Sequence, residues 1–314
     1  MKKLLAILVA VVLCLGMTAV AEETYTVGVC QLVQHPALDA ATQGFQDALT
    51  EKLGAAVSFD VQNASGDSNT CSTIVNGFVS DNVNLIMANA TPALQAAVAA
   101  TGDIPILGTS VTDYATALDI ADWTGATGIN VSGTSDLAPL DQQAAMLHEL
   151  FPDAGTVGLL YCSAEPNSKY QVDVITGYLT ELGYETAEFT FADSNDVASV
   201  AQSACDGSDV IYIPTDNTAA SCTEAIRNVV EPAGKPVIAG EEGICKGCGV
   251  ATLSISYYDL GYATGEMAYE VLANGADVAT LDVAFAPNVT KEYNAELAGL
   301  LGVTVPEDYV AIEG

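Results

Sequence analysis

Six short stretches hold most of the residues able to do chemistry on a small molecule. They read Gln34-His35-Pro36, Asn89-Ala90-Thr91-Pro92, Gly108-Thr109-Ser110-Val111-Thr112-Asp113, Ser163-Ala164-Glu165-Pro166-Asn167-Ser168, Pro214-Thr215-Asp216-Asn217-Thr218 and Gly240-Glu241-Glu242-Gly243. Their polar side chains are hydroxyls, amides, carboxylates and one imidazole, with no Lys or Arg among them. Each stretch also has a local use, because Ser, Thr, Asp and Asn cap the orphan N–H groups of a helix start. Thr91-Pro92, for instance, reads as an N-cap followed by the first helical residue. Capping accounts for any single turn of this kind. Six on one edge of two facing lobes would line the same cleft.

Bond-making chemistry finds little support. The histidines are His35 and His148. His148 lies mid-helix in Ala145-Met146-Leu147-His148-Glu149, as a surface or packing residue. His35 stands at a turn and could act, yet no Ser or Cys has the G-x-S-x-G context of an activated nucleophile. Glu241 and Glu242 would point apart in an extended segment; either could be a general base, and a cation partner is the better reading. The phosphate loop G-x-x-x-x-G-K-[ST] and the fingerprint G-x-G-x-x-G are both missing, so no nucleotide cofactor is expected. Cys245-Lys246-Gly247-Cys248 has a suggestive spacing, but a zinc site needs about four ligands and no second pair completes it. A local disulfide or two free thiols is expected there. No catalytic residue, cofactor or metal is expected.

The elements that must position these turns follow from the apolar pattern. Met1-Lys2-Lys3, an apolar run over residues 4–15 and the small-x-small Ala19-Val20-Ala21 make residues 1–21 a secretory signal peptide. A lipid anchor at Cys14 is the alternative, and Leu13 before it fits that processing poorly. The chain carries eight cysteines, and setting Cys14 aside leaves an odd number that cannot all pair within one chain. Val29-Cys30 and Tyr161-Cys162 sit in apolar strand-like runs, where a buried free thiol is the expected state. The formal net charge of −32 argues against nucleic acid and against an anionic membrane surface as direct ligands.

Beyond the signal, short apolar runs alternate with segments of helical period. Strands are expected at 25–31, 57–61, 85–88, 104–107 and 128–131, with helices between them, and 132–134 reads as a turn. The rhythm then restarts with a helix over 136–151 and strands at 156–162, 186–191, 210–213 and 236–239. An apolar strand-like run over 250–256, a helix over 259–273, a short strand at 283–285 and a helix over 292–301 close the chain. Two such arrays make an α/β protein of two doubly wound parallel-sheet lobes, and ligands of open parallel sheets bind beyond the carboxyl ends of the strands.

At the turns the sequence resembles a known family. "VGVCQLVQHPALDAATQGFQDAL", "NLIMANATPALQAA", "GTSVTD", "GEEGICKGCGVATLSISYYDLGYATGEMA" and "LGVTVPE" look like the bacterial ABC-transporter substrate-binding proteins of the tryptophan/tyrosine-type group. The resemblance covers essentially the whole mature chain. It implies a type I periplasmic-binding-protein fold, with lobe I at 22–132 and 257–284, lobe II at 133–256 and 285–314, and a three-segment hinge. Closure would turn about Ser132-Gly133 and near Ser256. It also implies an extracytoplasmic monomer that binds a small amino acid, aromatic or apolar, and delivers it to an ABC permease.

Carried onto this sequence, the resemblance gives the ligand's carboxylate to Thr91 and the N–H groups of its helix, with Ser110 and either Thr109 or Thr112 completing the clamp. An ammonium group would then meet Asp216 or Glu241 on the opposite lobe. Gln34 and His35 would line the entrance, or His35 merely precedes Pro36. Asn89, Asp113, Asn167 and Asn217 complete the expected polar lining. Tyr114, Tyr161 and Tyr257 could stack on a ring or simply pack. A sugar or nucleoside receptor of the same fold is the alternative, weakened by an arginine inventory of Arg227 alone. A ligand-sensing domain serving a membrane partner is another.

Overall fold

Central strands of this chain are apolar along their whole length because helices cover both of their faces. The computed structural model describes residues 23–286 and 288–313; the expected signal peptide and Cys14 lie outside the described residues. Among the described residues, the chain forms β1 (Tyr25–Gln31), β2 (Val57–Asn63), β3 (Leu85–Asn89), β4 (Ile106–Val111) and β5 (Val131–Ser135). The second array holds β6 (Thr156–Cys162), β7 (Glu185–Phe191), β8 (Val210–Ile213), β9 (Val237–Ala239) and β10 (Ala251–Ser254). Last come β11 (Ala284–Phe285), β12 (Thr290–Tyr293) and β13 (Val310–Ala311).

These strands build two sheets, ordered β11-β5-β4-β3-β1-β2 and β13-β12-β10-β9-β8-β6-β7. Their pairings are parallel except that β10 runs antiparallel to β12. Each sheet has a core on both faces. In β3, Ile86 and Ala88 join the cluster around Phe78 and Leu94, while Leu85 and Met87 face the one around Phe45 and Leu49. The second sheet divides likewise, with Ile211 and Ile213 on one side and Val210 and Tyr212 on the other. Strict alternation of two apolar sets along one strand is what a doubly wound sheet requires.

The chain crosses between the lobes three times. The first crossing falls between Ser135 and the helix Leu140–Leu150, the second between Ser254 and the helix Tyr257–Asn274, the third between Phe285 and Thr290. Two expected boundaries therefore move. Ser132 and Gly133 are not a turn at the hinge but the middle of β5, and Phe285 pairs with Ser135 in the first sheet. Small residues signalled a turn here because β5 must come very close to its neighbours. A Cβ on Gly133 would stand 2.0 Å from the Gly108 carbonyl oxygen and 2.4 Å from Tyr114 Oη, and its φ is +142°.

The helix Tyr257–Asn274 returns to the first lobe and packs along Pro36–Leu53. That contact depends on glycine: a Cβ on Gly261 would lie 1.9 Å from the Ala41 carbonyl oxygen. Near the end, the helix expected over 292–301 splits, because residues 290–293 pair with β10 and Asn294 then caps Ala295–Leu301 by accepting from Leu297 N at 3.1 Å. Among the described residues no helix is long and apolar enough to cross a membrane. The described cysteines are free thiols, Cys245 and Cys248 both buried in the helix Glu242–Cys248, and no group of metal-ligating side chains gathers there.

Candidate functional site

The carboxyl ends of β3, β4 and β5 lie side by side and carry Thr91, Ser110 and Asp136. Backbone bonds fix that order: Ala90 N donates to Thr109 O at 3.0 Å, and Asp136 N donates to Val111 O at 3.3 Å. Ala90, not Thr91, occupies the N-cap position, with φ +91°. Its carbonyl accepts the first helical bond from Leu94 N at 3.1 Å, so Thr91 is already helical and its hydroxyl makes no cap. Thr91 Oγ1 is buried and has no hydrogen-bond partner in the protein. Ser110 repeats the pattern: φ is +54°, and its buried Oγ is also without a partner. Two non-glycine residues held at positive φ beside unbonded hydroxyls are a costly local arrangement, of the kind that concentrates at ligand sites.

Asp136 completes this edge. It is 3% exposed; Oδ2 accepts from Tyr257 Oη at 2.9 Å, and Oδ1 has no partner. Burial raises its pKa, against the hydrogen bond from Tyr257 that holds it down. Asp136 was not expected in the site, since its segment read as the start of a helix. Pro139 carried the missed signal: a residue before proline avoids helical geometry, so the helix starts at Leu140 and Asp136 stays in the crossing.

On the second lobe, carboxylates at the ends of β6, β8 and β9 are occupied by donors of their own and neighbouring turns. Glu165, also missed, is the centre of a network. Its oxygens accept from Asn217 N at 3.0 Å, Asn217 Nδ2 at 2.7 Å, Thr218 N at 2.8 Å, Thr218 Oγ1 at 2.7 Å and Asn167 Nδ2 at 3.2 Å. Asp216 accepts from Cys162 N at 2.7 Å, Ser168 Oγ at 2.8 Å and Ala219 N at 2.8 Å. Burial, then the charge of Glu165, pushes the Asp216 carboxyl up to about 8. Glu241 caps the helix Glu242–Cys248 by accepting from Gly243 N and Ile244 N, both at 2.6 Å, and burial pushes it up to about 7 in spite of them.

His35 joins the lobes. Asn217 gives its Nδ2 to Glu165, so its Oδ1 is the acceptor and His35 Nε2–H the donor, at 3.4 Å. Nδ1 is then a bare acceptor, buried and without a partner; burial lowers the pKa of the ring. Asn167 Oδ1 is another buried acceptor without a partner. A hollow of about 240 Å³ opens between the lobes beside Pro92, Glu165 and Asn217, and one of about 440 Å³ lies on the hinge side beside Pro36, Glu241 and Tyr257.

Several expected site residues have other work. Thr109 Oγ1 belongs to a chain through Thr134 Oγ1 at 3.2 Å to Thr264 Oγ1 at 2.8 Å, which ties the sheet to its covering helix. Asn89 Nδ2 bonds Leu38 O at 2.8 Å and Thr42 Oγ1 at 3.0 Å, leaving only Oδ1 unpartnered. Asp113 caps the helix Tyr114–Ala117 through Thr116 N at 2.7 Å. Gln34 is exposed and lines a separate hollow on the first lobe with Gln31 and Asp39. Tyr114 lies in the first lobe's core with its hydroxyl on Thr134 O, and Tyr161 in the second lobe's core with its hydroxyl on Glu188. Of the three tyrosines, Tyr257 stands at the crossing.

Two doubly wound lobes, three crossings and facing strand ends that present buried, unbonded polar atoms define a two-lobed ligand-binding protein of the type I periplasmic-binding-protein fold. The chain belongs to the family of ABC transporter substrate-binding proteins, which matches residues 26–312. It is 40% identical over 249 residues to the tyrosine-binding protein of Clostridioides difficile (strain R20291), covering 78% of this chain and 72% of that one. Its structure matches an ABC domain from Streptococcus pneumonia in complex with L-Trp, at TM-score 0.87 and 33% identity over 91% of this chain and 97% of that one. It also matches the ligand-free, open structure of a substrate-binding protein with adhesive properties from Clostridium difficile. There the TM-score is 0.69 at 38% identity, over 92% and 99% of the two chains.

Proposed function

We propose that this chain is the extracytoplasmic substrate-binding component of an ABC importer and that it closes on an aromatic α-amino acid between its lobes. One observation carries the reading. Thr91 presents a buried hydroxyl without a partner in the first turn of the helix Thr91–Ala100, and Ser110 presents another near the end of the adjacent strand β4. A helix start with added hydroxyl donors suits a carboxylate and needs no Lys or Arg. Leaving a buried polar group unsatisfied costs about 1–3 kcal/mol. A carboxylate that bonds both hydroxyls recovers that energy, so the strain stored at Ala90 and Ser110 has a use.

The family's relatives support the rest. One is a tyrosine-binding protein and another is held in complex with L-Trp, which favours an aromatic side chain here. This chain matches the L-Trp complex better than the ligand-free, open structure, although the open protein is the more identical in sequence. That favours a closed arrangement of the lobes, with His35 and Asn217 in contact across the cleft. Turning at the three crossings would open it. A membrane permease would receive the amino acid. The reading is of a monomeric binding protein and not an enzyme, in keeping with relatives that are substrate-binding proteins.

Calorimetry on the purified mature chain tests this with L-tyrosine, L-tryptophan, hexoses and nucleosides. Saturable one-site binding of an aromatic amino acid is expected. Binding of a hexose or nucleoside with no response to any amino acid overturns the reading.

A further inference from the structure

The two carboxylates expected from sequence to meet an ammonium group, Asp216 and Glu241, already accept bonds from backbone N–H groups of the second lobe on both oxygens. A different carboxylate has an oxygen to spare. We infer that Asp136 takes the ligand's α-ammonium group and is the residue that admits amino acids while refusing their des-amino counterparts; this rests on the amino-acid reading above.

Three observations lead there. Asp136 is almost fully buried, with Oδ2 on Tyr257 Oη and Oδ1 without any partner. An ionised carboxylate only accepts hydrogen bonds, so what completes it must be a donor, and a buried charge calls for a cationic one. Among the described residues, no Lys, Arg or His forms an ion pair with it. Lys52, Lys169, Arg227 and Lys291 are engaged with Glu266, Asp173, Glu231 and Glu149 at the surface.

The position is also right. In an α-amino acid the ammonium and carboxylate share one carbon, so the acceptor must sit next to the carboxylate clamp. Asp136 follows β5, Ser110 lies on β4, and Asp136 N is bonded to Val111 O, one residue beyond Ser110. Adjacent strands are about 4.8 Å apart, a span that a zwitterion bridges. Asp216 and Glu241 stand on the other sheet. Tyr257, which follows the second crossing, donates to the Asp136 carboxylate, so the acceptor is fixed by two hinge segments at once.

Calorimetry with L-tyrosine and 3-(4-hydroxyphenyl)propionate, on the mature protein and its Asp136→Asn variant, decides the matter. The unaltered protein should bind the des-amino acid roughly 100-fold more weakly than L-tyrosine, as expected when a buried charged group is left unpaired. In Asp136→Asn, L-tyrosine should weaken by roughly 10- to 100-fold while the des-amino acid moves by less than about threefold or tightens. The ligand-free variant should melt no lower than the unaltered protein, since it loses a buried unpaired charge. Equal discrimination in both proteins, or a ligand-free variant that melts far lower and binds neither compound, overturns the assignment. So does an unaltered protein that binds both compounds equally, a result that needs no variant. An unaltered protein that binds no amino acid overturns the parent reading instead.

Discussion

At the first lobe's edge, Thr91, Ser110 and Asp136 hold buried polar atoms without partners. At the second lobe's edge, Glu165, Asp216 and Glu241 place their oxygens on N–H groups of neighbouring turns. The residue types are the same kind on both sides, and each stands at or just beyond the end of a strand. On the proposed reading their uses differ: a polar group at a strand end is architecture when neighbouring turns satisfy it, and is open to a ligand when they do not. The positive φ of Ala90 and Ser110 accompanies the second case, strained backbone beside unbonded hydroxyls being of the kind that concentrates at ligand sites.

The sharpest way to break this contrast is Glu165→Ala. It would leave the backbone N–H groups of Asn217 and Thr218 buried without acceptors, and a loss of about 2–5 kcal/mol in urea unfolding is expected. Full stability with abolished ligand binding would move Glu165 into the other class. Next is pH. Asp216 and Glu241 have pKa values raised to about 8 and about 7, so the folded state holds protons that the unfolded chain has already released. Stability should therefore be highest near the ordinary carboxylate pKa, fall as pH rises toward about 8, and level off beyond. His35, lowered by burial, works the other way, with stability lost as pH falls below the ordinary histidine value. With two raised carboxylates set against one lowered imidazole, urea midpoints at pH 5 and pH 8 should show the higher stability at pH 5.

On the first lobe the expected effects are smaller and fall on affinity. Thr91→Val should weaken amino-acid binding by roughly 10-fold while leaving the ligand-free protein as stable or slightly more so. A drop in stability with unchanged affinity would make Thr91 a structural residue after all. Ser110→Ala should weaken binding by roughly fivefold, with ligand-free melting unchanged.

How much of this was legible beforehand differs between fold and site. Apolar runs at strand length, alternating with helical period, gave both sheets and most element bounds, because buried parallel strands must be apolar on both faces. The exceptions are local. Residues 132–134 read as a turn since their small size serves close packing against Gly108 and Tyr114, and 292–293 read as helix since the strand they pair with lies about forty residues earlier in the chain.

For the site, the sequence by itself determined where polar groups fall relative to strand ends, Thr91, Ser110, Asp216 and Glu241 among them. Only the tertiary structure decided which of them remain unbonded. Glu165 and the N–H groups it satisfies are 52 and 53 residues apart, and Asp136 and Tyr257 are 121 apart. Hydrogen-bond satisfaction over such separations depends on how loops from different crossings meet, and spacing along the chain carries no record of that.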